Sequence, residues 1–498
     1  MKKCLMLGLL VLLISPLVGF AQDEHKKAME FYSKGQYQDA LAMLEESIAA
    51  YPDWYWPVLM KGQTNLKLGN FKEAVANFND ALTLEIPGKD LPKARYGIAQ
   101  AYMFLKDYPK AVHAFSELVP LTPPARLFDV YFSRAQCEMQ IAKEADEKND
   151  RNRANSYFSK AIVSYNEALK NPVSDKAKEV EALFQKAYSQ YKIGNFKGGI
   201  QSLETSIEAF QDVIAENPKE KRAHRFLINL SFEIVEKSAD NRKPDRYVEA
   251  AKYIDRYLSH WPADGAMINK KGLALQGAKQ YKEAISVFQS LVSMEPNNGE
   301  AYYSLGSCQM AVKQYEAAIT SFNRALDKGQ EKNPNIYLYS AYCFQEQKGP
   351  CDNLNIPLYE SAVNVLEQGL GKVSGTGRAM IQKDLGTKKG NLEILRTNFS
   401  TENENHRLVI DNIQRVIQTI EANRSTLARN QDLYIQQATS ELKDAIDKGK
   451  KALADDEATL KEQFKLLEAY IQNARKCGGA NAFENYQGMV ELSRKASG

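Results

Sequence analysis

The sequence has little of what most active sites are built from. Its five histidines lie far apart, and no two are close enough along one helix to share a metal ion. It has no CxxC motif, no glycine-rich phosphate loop and no nucleophile elbow. Carboxylates are plentiful, but they follow the pattern of solvated helix faces. We therefore predict a protein that is not an enzyme and needs no cofactor or metal.

An excess of charge of either sign is also absent. The chain has 65 Lys and Arg against 62 Asp and Glu, which gives a net charge of +3, and the two signs are intermixed along the sequence. Domains that bind nucleic acid usually concentrate basic residues on one face. We therefore expect no nucleic-acid partner.

Long apolar runs are missing except at the N-terminus. There Lys2 and Lys3 precede the apolar run Leu5–Ile14, and small residues ending at Ala21 follow it. This order predicts a secretory signal peptide over residues 1–21, cut after Ala21. The alternative is a membrane anchor, but the run is well short of the ~20 residues that span a bilayer. We expect an exported protein without a transmembrane segment, in the periplasm, associated with the outer membrane or extracellular.

What the sequence does have is an internal repeat, which is clearest over Asp264–Asn333. Two stretches there match when one is shifted by 34 positions. The matched pairs are Gly272 with Gly306, Tyr281 with Tyr315, Ala284 with Ala318 and Phe288 with Phe322. Each stretch contains two amphipathic segments of about three turns, with apolar residues three or four apart. The pattern predicts repeated pairs of helices.

The spacing of small and large residues explains how such a pair would pack. Gly272 and Ala284 are small, which lets the two helices approach closely, and Phe288 fills the space beside them. One helix pair cannot bury its own apolar face, so neighbouring pairs must stack. Together with Pro296, these positions resemble the tetratricopeptide repeat (TPR) family. The resemblance implies an all-α, right-handed solenoid of helix pairs.

The resemblance extends over residues 22–370 as about nine helix-pair repeats, of which repeats four, six and nine are irregular. Repeat four carries a polar insert, Lys143–Asn155, which is either a loop or extra helical turns. Repeat nine carries the insert Gly349–Pro357. In the family, such arrays bind partners rather than catalyse reactions.

Beyond the repeats the sequence predicts three further segments. A linker with a short helix occupies 371–400, and a long helical module that resembles a coiled coil occupies 401–477. The module begins at a capping box formed by Thr401 and Glu404. Residues 478–498 are expected to form a C-terminal tail.

The long module contains two seams of apolar residues four and three apart. The first seam has the rows Ile413, Ile420, Leu427, Tyr434 and Val409, Val416, Asn423, Asn430; the second has Leu460, Phe464, Leu467 and Ile471. Gly449 lies between the seams, where a helix could bend. The seams could face each other in a hairpin, pack on the last repeats as a cap, or pair with a second molecule. We favour the hairpin or the cap, and therefore a monomer.

The cysteines of an exported protein are expected to form disulfides. Cys137, Cys308 and Cys343 share one position of the repeat, where other repeats have small residues, and we interpret Cys137 and Cys308 as packing residues. Cys351 lies in the insert of repeat nine, where packing does not require it. A bridge between Cys343 and Cys351, closing the insert, is the candidate disulfide.

In the TPR family, the first helix of each pair lines a concave groove. The corresponding positions in this chain are rich in aromatic residues, methionine and glutamine, which suits a surface that binds a partner. They are Trp56, Leu59, Gln63, Tyr96, Gln100, Met103, Phe104, Phe132, Gln136, Met139, Phe184, Tyr188, Tyr191, Tyr303, Met310 and Tyr342. The alternative is that the inserts curl the repeats together, so that this stripe is core.

These positions indicate a protein or peptide partner, such as a subunit of a cell-envelope complex. Gln63, Gln100 and Gln136 occupy the same place in successive repeats, and stacked amides could bind an extended backbone. The Lys and Asn clamp with which some family members hold a C-terminal carboxylate is missing from these positions. A second hypothesis is that the aromatic groove binds a glycan or peptidoglycan.

Overall fold

The structure is a computed structural model that describes residues 25–197 and 199–497, and it contains helices and no strand within those ranges. The chain divides into two compact units, one ending at Pro262 and one beginning at Ala263. The helices of the first unit are α1 (25–33), α2 (Tyr37–Ala50), α3 (Tyr55–Leu68), α4 (Phe71–Thr83), α5 (Leu91–Phe104), α6 (Tyr108–Leu118), α7 (Pro124–Glu147), α8 (Arg151–Leu169), α9 (Lys176–Lys197), α10 (Ile200–Glu216), α11 (Lys221–Lys237) and α12 (Lys243–Leu258).

The second unit has three further helix pairs followed by three C-terminal helices. They are α13 (Gly265–Gly277), α14 (Tyr281–Met294), α15 (Gly299–Ala311), α16 (Tyr315–Ala325), α17 (Pro334–Glu346), α18 (Asp352–Lys372), α19 (Gly375–Gln437), α20 (Ser440–Lys476) and α21 (Tyr486–Ser497). Within each unit, helices that follow one another pack side by side. The predicted all-α architecture of stacked helix pairs is confirmed.

In repeats seven and eight, an aromatic ring on the second helix packs directly against a glycine on the first helix. A Cβ atom added to Gly272 would lie 2.5 Å from the ring of Phe288, and one added to Gly306 would lie 2.7 Å from the ring of Phe322. Both rings are fully buried. Because no side chain fits between the ring and the helix backbone, glycine at this position sets how closely the two helices pack.

A hydrogen bond between side chains also joins the two helices of several pairs. The bond occurs in repeats two, four and eight and joins equivalent positions. One partner lies on the first helix, three positions after its small residue. The other lies on the second helix, just before its aromatic residue. The bonds run from Asn65 Nδ2 to Asn77 Oδ1 (2.9 Å), from Ser164 Oγ to Glu138 Oε2 (2.6 Å) and from Ser321 Oγ to Gln309 Oε1 (2.7 Å). Asn65, Glu138 and Gln309 are buried, so these bonds satisfy groups that would otherwise destabilise the core.

The polar insert of repeat four is helical. Most of Lys143–Asn155 extends the two helices of the pair: α7 continues to Glu147, and α8 begins at Arg151. The pair therefore has helices of 24 and 19 residues, whereas α13 and α14 of repeat seven have 13 and 14. The extra turns of α7 are important for the candidate site described below.

The predicted boundaries in the C-terminal part are wrong in two places. Residues 375–437 form one unbroken helix, so the break expected between 400 and 401 does not exist. Thr401 lies inside this helix and donates its hydroxyl to the carbonyl of Thr397 (2.9 Å) instead of capping a helix start. The chain reverses at Ala438, which has a left-handed φ of 41°, and not at Gly449, which lies within α20.

The two long helices α19 and α20 form an antiparallel hairpin, one of the arrangements that the seams predicted. Asn423 Nδ2 donates to Asp456 Oδ2 (2.5 Å) in the middle of the hairpin, and Asn473 Nδ2 donates to Glu402 Oε1 (2.8 Å) near the base. At the base, the seam residues pack with Phe483 and Met489, which are buried. The segment expected to be a tail, 478–498, therefore includes a helix, α21, that packs on the hairpin.

The predicted Cys343–Cys351 bridge is also wrong, because Cys351 is bonded to Cys477. Cys351 immediately precedes α18 and Cys477 immediately follows α20, so the bond ties the hairpin to the last repeat. Asn353 Nδ2 supports the junction by donating to the Cys477 carbonyl (2.7 Å). Cys343 is instead fully buried within repeats eight and nine, and burial raises the pKa of its thiol to about 12.

Candidate binding cleft

The predicted groove residues lie in three environments. Four are buried and belong to the core, two are exposed, and the others are half-buried on the first helices of their pairs. The buried ones are Leu59, Phe132, Met139 and Phe184; the exposed ones are Phe104 and Tyr342; the half-buried ones are Trp56, Gln63, Tyr96, Gln100, Met103, Gln136, Tyr188, Tyr191, Tyr303 and Met310.

The stripe is therefore partly core. Phe132 packs on Phe128 (5.7 Å between ring centroids) and on Tyr165 (6.0 Å). Leu59 is 2% exposed and Phe184 is 6% exposed, so both side chains belong to the core. In the second unit, Tyr303 stacks on Tyr339 with ring planes 7° apart.

A cleft of about 250 Å³ opens where α5, α6, α7, α8 and α9 meet in the first unit. It is lined by Met103, Tyr108, Gln136, Cys137, Met139, Gln140, Lys143, Tyr165 and Gln185. Met103, Gln136 and Met139 were predicted as groove residues from the sequence. Tyr108, Gln140, Lys143 and Gln185 were not.

The length of α7 explains how Lys143 reaches the cleft. Gln136, Gln140 and Lys143 are spaced four and three apart, so they lie on one face of that helix. Lys143 is in the stretch that the sequence left open as a loop or extra helical turns. Reading that stretch as helix would have placed Lys143 on the same face as Gln136 and Gln140.

The floor of the cleft is apolar and adaptable. Met139 is 2% exposed, and Tyr165 on α8 directs its hydroxyl at the Met139 sulfur (3.8 Å). Cys137 is fully buried beside them, and burial raises its pKa to about 12, so the thiol stays protonated. Methionine side chains adjust to irregular shapes, which suits a floor that accepts more than one side chain.

The rim of the cleft carries amides with unused hydrogen-bonding capacity. Gln185 Nε2 donates to Glu181 Oε1 (2.6 Å), which leaves its own carbonyl oxygen as an acceptor. The side chains of Gln136 and Gln140 make no hydrogen bond to any other residue that the structure describes. Each free amide offers two donor hydrogens and one acceptor oxygen.

The cleft also contains one cation. The Lys143 ammonium lies 5.6 Å from the centre of the Tyr188 ring and forms no ion pair with a carboxylate in the described ranges. Lys192 lies over the same ring at 6.0 Å, but it is paired with Asp146 (2.5 Å). Burial, reinforced by the charge of Glu144, raises the pKa of Tyr108, so its hydroxyl remains a donor at neutral pH.

The described residues contain no group of three or more His, Cys, Asp or Glu side chains that could hold a metal ion. Among the helices in the described ranges, none is both long and apolar enough to cross a membrane.

Comparison with known families agrees with the helix pairs. The family described as "Tetratricopeptide repeat" matches residues 275–340, and the family described as "Iml2/Tetratricopeptide repeat protein 39" matches residues 4–204. The chain is a tetratricopeptide repeat protein. Proteins with TPR repeats generally mediate protein–protein interactions and are typically non-catalytic.

Similar proteins match only parts of this TPR protein. A DnaJ homolog subfamily C member 3 homolog from Dictyostelium discoideum is 32% identical over 123 residues, and the match covers 24% of each chain. The chain thus matches about a quarter of that relative's length. Among solved structures, YrrB is 16% identical, with a TM-score of 0.31, over 43% of this chain and 99% of its own. MamA from Desulfovibrio magneticus RS-1 is 15% identical, with a TM-score of 0.28, over 40% and 97%.

Proposed function

We propose that this TPR protein is a non-catalytic interaction scaffold of the bacterial cell envelope. In this proposal, an extended segment of a partner protein binds along the first helices of repeats three to five. The observation that carries the proposal is the cleft between α5, α7 and α9, where free amides surround a methionine floor. The cleft has room for a side chain, and its rim can bond a backbone.

The arrangement of the amides supports a peptide as the ligand. An extended peptide presents alternating carbonyl and N–H groups, and each of Gln136 and Gln140 can donate to one and accept from the other. One helical turn separates the two amides, so they can contact successive parts of the same segment. Met103 and Met139 can accommodate an apolar portion of that segment.

Export is part of the proposal, and two observations support it. The N-terminal sequence has the order of a secretory signal, which falls outside the described residues. The Cys351–Cys477 bond suits an oxidising compartment such as the periplasm or the cell exterior. We further propose that the protein acts as a monomer, because the seams of its long helices are used within one chain.

Site-specific crosslinking tests the proposal. A photo-reactive benzoylphenylalanine is placed at Gln140 in the cleft and, as a control, at Lys160, an exposed residue of α8 outside it. Irradiation of intact cells followed by mass spectrometry should identify one recurrent protein segment crosslinked at 140 and not at 160. That segment, made as a synthetic peptide, should bind the purified chain.

Two results would contradict the proposal. One is equal labelling from both positions, which would show no preference for the cleft. The other is a recovered peptide whose affinity is the same for the Gln136→Ala/Gln140→Ala variant as for the wild type. Crosslinking to a glycan in place of a protein segment would support the hypothesis that the aromatic groove binds a glycan or peptidoglycan.

A further inference from the structure

The cleft contains one formal charge, and that charge is positive. Of its nine lining residues, Lys143 is the one that carries charge at neutral pH, and no lining residue is acidic. The nearby pair of Lys192 and Asp146 is internally balanced. A ligand with a negative charge would therefore neutralise the cleft, whereas a ligand with a positive charge would be repelled.

The hydrogen-bonding groups of the cleft favour the same kind of ligand. The Lys143 ammonium has three donor hydrogens, and the Tyr108 hydroxyl and the amides of Gln136 and Gln140 supply further donors. A carboxylate has two oxygens with about four acceptor sites and no donor of its own. Two nearby acids do not line the cleft: Glu144 is exposed and acts on Tyr108, and Glu181, which accepts a hydrogen bond from Gln185, is paired with Arg222 (2.8 Å).

The position of Lys143 favours binding of an anion. Its side chain is half-buried and lies against the Tyr188 ring, which attracts the ammonium and restricts its movement. Hydrogen bonds between charged groups in a partly enclosed site are shorter and stronger than neutral ones. Lys143 is thus held in place for an anion that the described part of the chain does not supply.

From these observations we infer that the cleft binds an acidic side chain, Asp or Glu, within the extended segment of the partner, with Lys143 as its counter-ion. This inference rests on the proposed function and adds the chemistry of the anchoring residue. The carboxylate lies at the rim among Lys143, Tyr108 and the two glutamines, and the apolar part of the same side chain contacts the half-buried Met103, above the buried Met139.

Selection from a library of random twelve-residue peptides tests the inference. The peptides are displayed inside a loop of a carrier protein, so that they have no free C-terminal carboxylate. The full chain is used in three forms: wild type, Lys143→Glu, and the control Lys148→Glu, which changes an exposed lysine at the end of α7. Thermal unfolding of all three confirms that they are folded.

Peptides selected by the wild type and by Lys148→Glu should share one acidic position. Peptides selected by Lys143→Glu should have Lys or Arg at that position. A consensus without an acidic position would overturn the inference and leave the proposed function standing, as would an acidic position that persists with Lys143→Glu. Failure to enrich any peptide would contradict the proposed function itself.

Affinity measurements with one selected peptide complete the test. Changing its acidic residue from Glu to Gln should weaken binding to the wild type roughly tenfold or more. The same change should have little effect on binding to a Lys143→Gln variant, because the two groups act as a pair. Equal losses with both forms of the protein would show that Lys143 does not contact the acidic residue.

Discussion

At the scale of single residues, glycine has two opposite roles in this chain. Gly272 lies under the ring of Phe288, and a Cβ atom there would come within 2.5 Å of that ring. Gly386 is an exposed residue of α19 with no heavy atom within 4 Å of an added Cβ atom. Glycine is required at the first position and only lowers helix stability at the second.

The two glycines make a matched pair of predictions. Gly272→Ala should lower the free energy of unfolding by about 1–3 kcal/mol, because the extra carbon overpacks the core. Gly386→Ala should raise it by about 0.5–1 kcal/mol, because alanine favours the helix. Both values can be read from denaturant unfolding curves, and a destabilising effect of the same size at both positions would refute this account of the packing.

A second prediction concerns His406, which is fully buried at the base of the hairpin. Its ring lies 4.9 Å from Tyr470 and 5.1 Å from Phe483, and neither ring nitrogen forms a hydrogen bond to a residue in the described ranges. Burial lowers its pKa below the ordinary value of 6.5. The unfolded chain therefore binds a proton more readily, so stability is full above about pH 6.5 and falls as the pH drops below it.

His406→Phe should remove this dependence while keeping an aromatic ring in the cluster. The difference in free energy of unfolding between the variant and the wild type should be more favourable to the variant at about pH 5 than at about pH 8. Below about pH 6.5 this difference should change by at most about 1.4 kcal/mol per pH unit. His113→Phe, which changes an exposed histidine of α6, serves as the control. Melting temperatures measured at both pH values test this prediction. The same change in melting temperature between the two pH values for the wild type and for His406→Phe would contradict it.

At the scale of elements, the Cys351–Cys477 bond joins the start of α18 to the end of α20 across 126 positions of sequence. A crosslink that closes so long a loop is expected to stabilise the fold by roughly 2–5 kcal/mol. The other cysteines in the described residues, Cys137, Cys308 and Cys343, are buried. Burial raises the pKa of each of their thiols to about 12, so they should not exchange with the bond.

Non-reducing peptide mapping of the exported protein should therefore recover Cys351 linked to Cys477. A Cys351→Ser/Cys477→Ser variant should lose about 2–5 kcal/mol of stability and become insensitive to reductant. In the native wild type, the three buried thiols should resist alkylation until the chain unfolds. A peptide that links Cys343 to either partner would invalidate the assignment.

The helix pairs were predictable from the sequence because the spacing of Gly272, Phe288 and their equivalents reports a local packing requirement. The boundaries of the helices in the hairpin were not predictable from the sequence. A threonine such as Thr401 can cap a helix or bond within one, and a glycine such as Gly449 can bend a helix or lie in its seam, where it faces Leu427. The Cys351–Cys477 pairing depends on how α20 returns to repeat nine, which no local pattern contains.

The candidate site was predictable to a similar extent. The repeat positions identified Met103, Gln136 and Met139, because their place on the first helix is set by the period. They also included Phe132 and Phe184, whose rings turned out to be core. Lys143 was missed because its position depends on extra turns of α7 that the period does not describe.

At the scale of the whole molecule, the division at Pro262 leads to a prediction about fragments. Residues 22–262 and 263–498 should each fold alone, since each has its own buried clusters. A fragment ending at residue 400 should be much less stable, because it cuts α19, removes Cys477 and exposes Phe399. Circular dichroism melts of 263–400 and 263–498 compare the two directly; similar melting temperatures would disprove the importance of the hairpin base.

A protein segment is proposed to bind the cleft between α5, α7 and α9. Methyl NMR of the full chain labelled at methionine tests it most directly, using the peptide recovered by crosslinking. The signals of Met103 and Met139, which line the cleft, should shift on titration, while those of the exposed Met294 and Met380 should not. Unchanged signals from Met103 and Met139, with shifts confined to Met294 or Met380, would place the binding site elsewhere and contradict the claim.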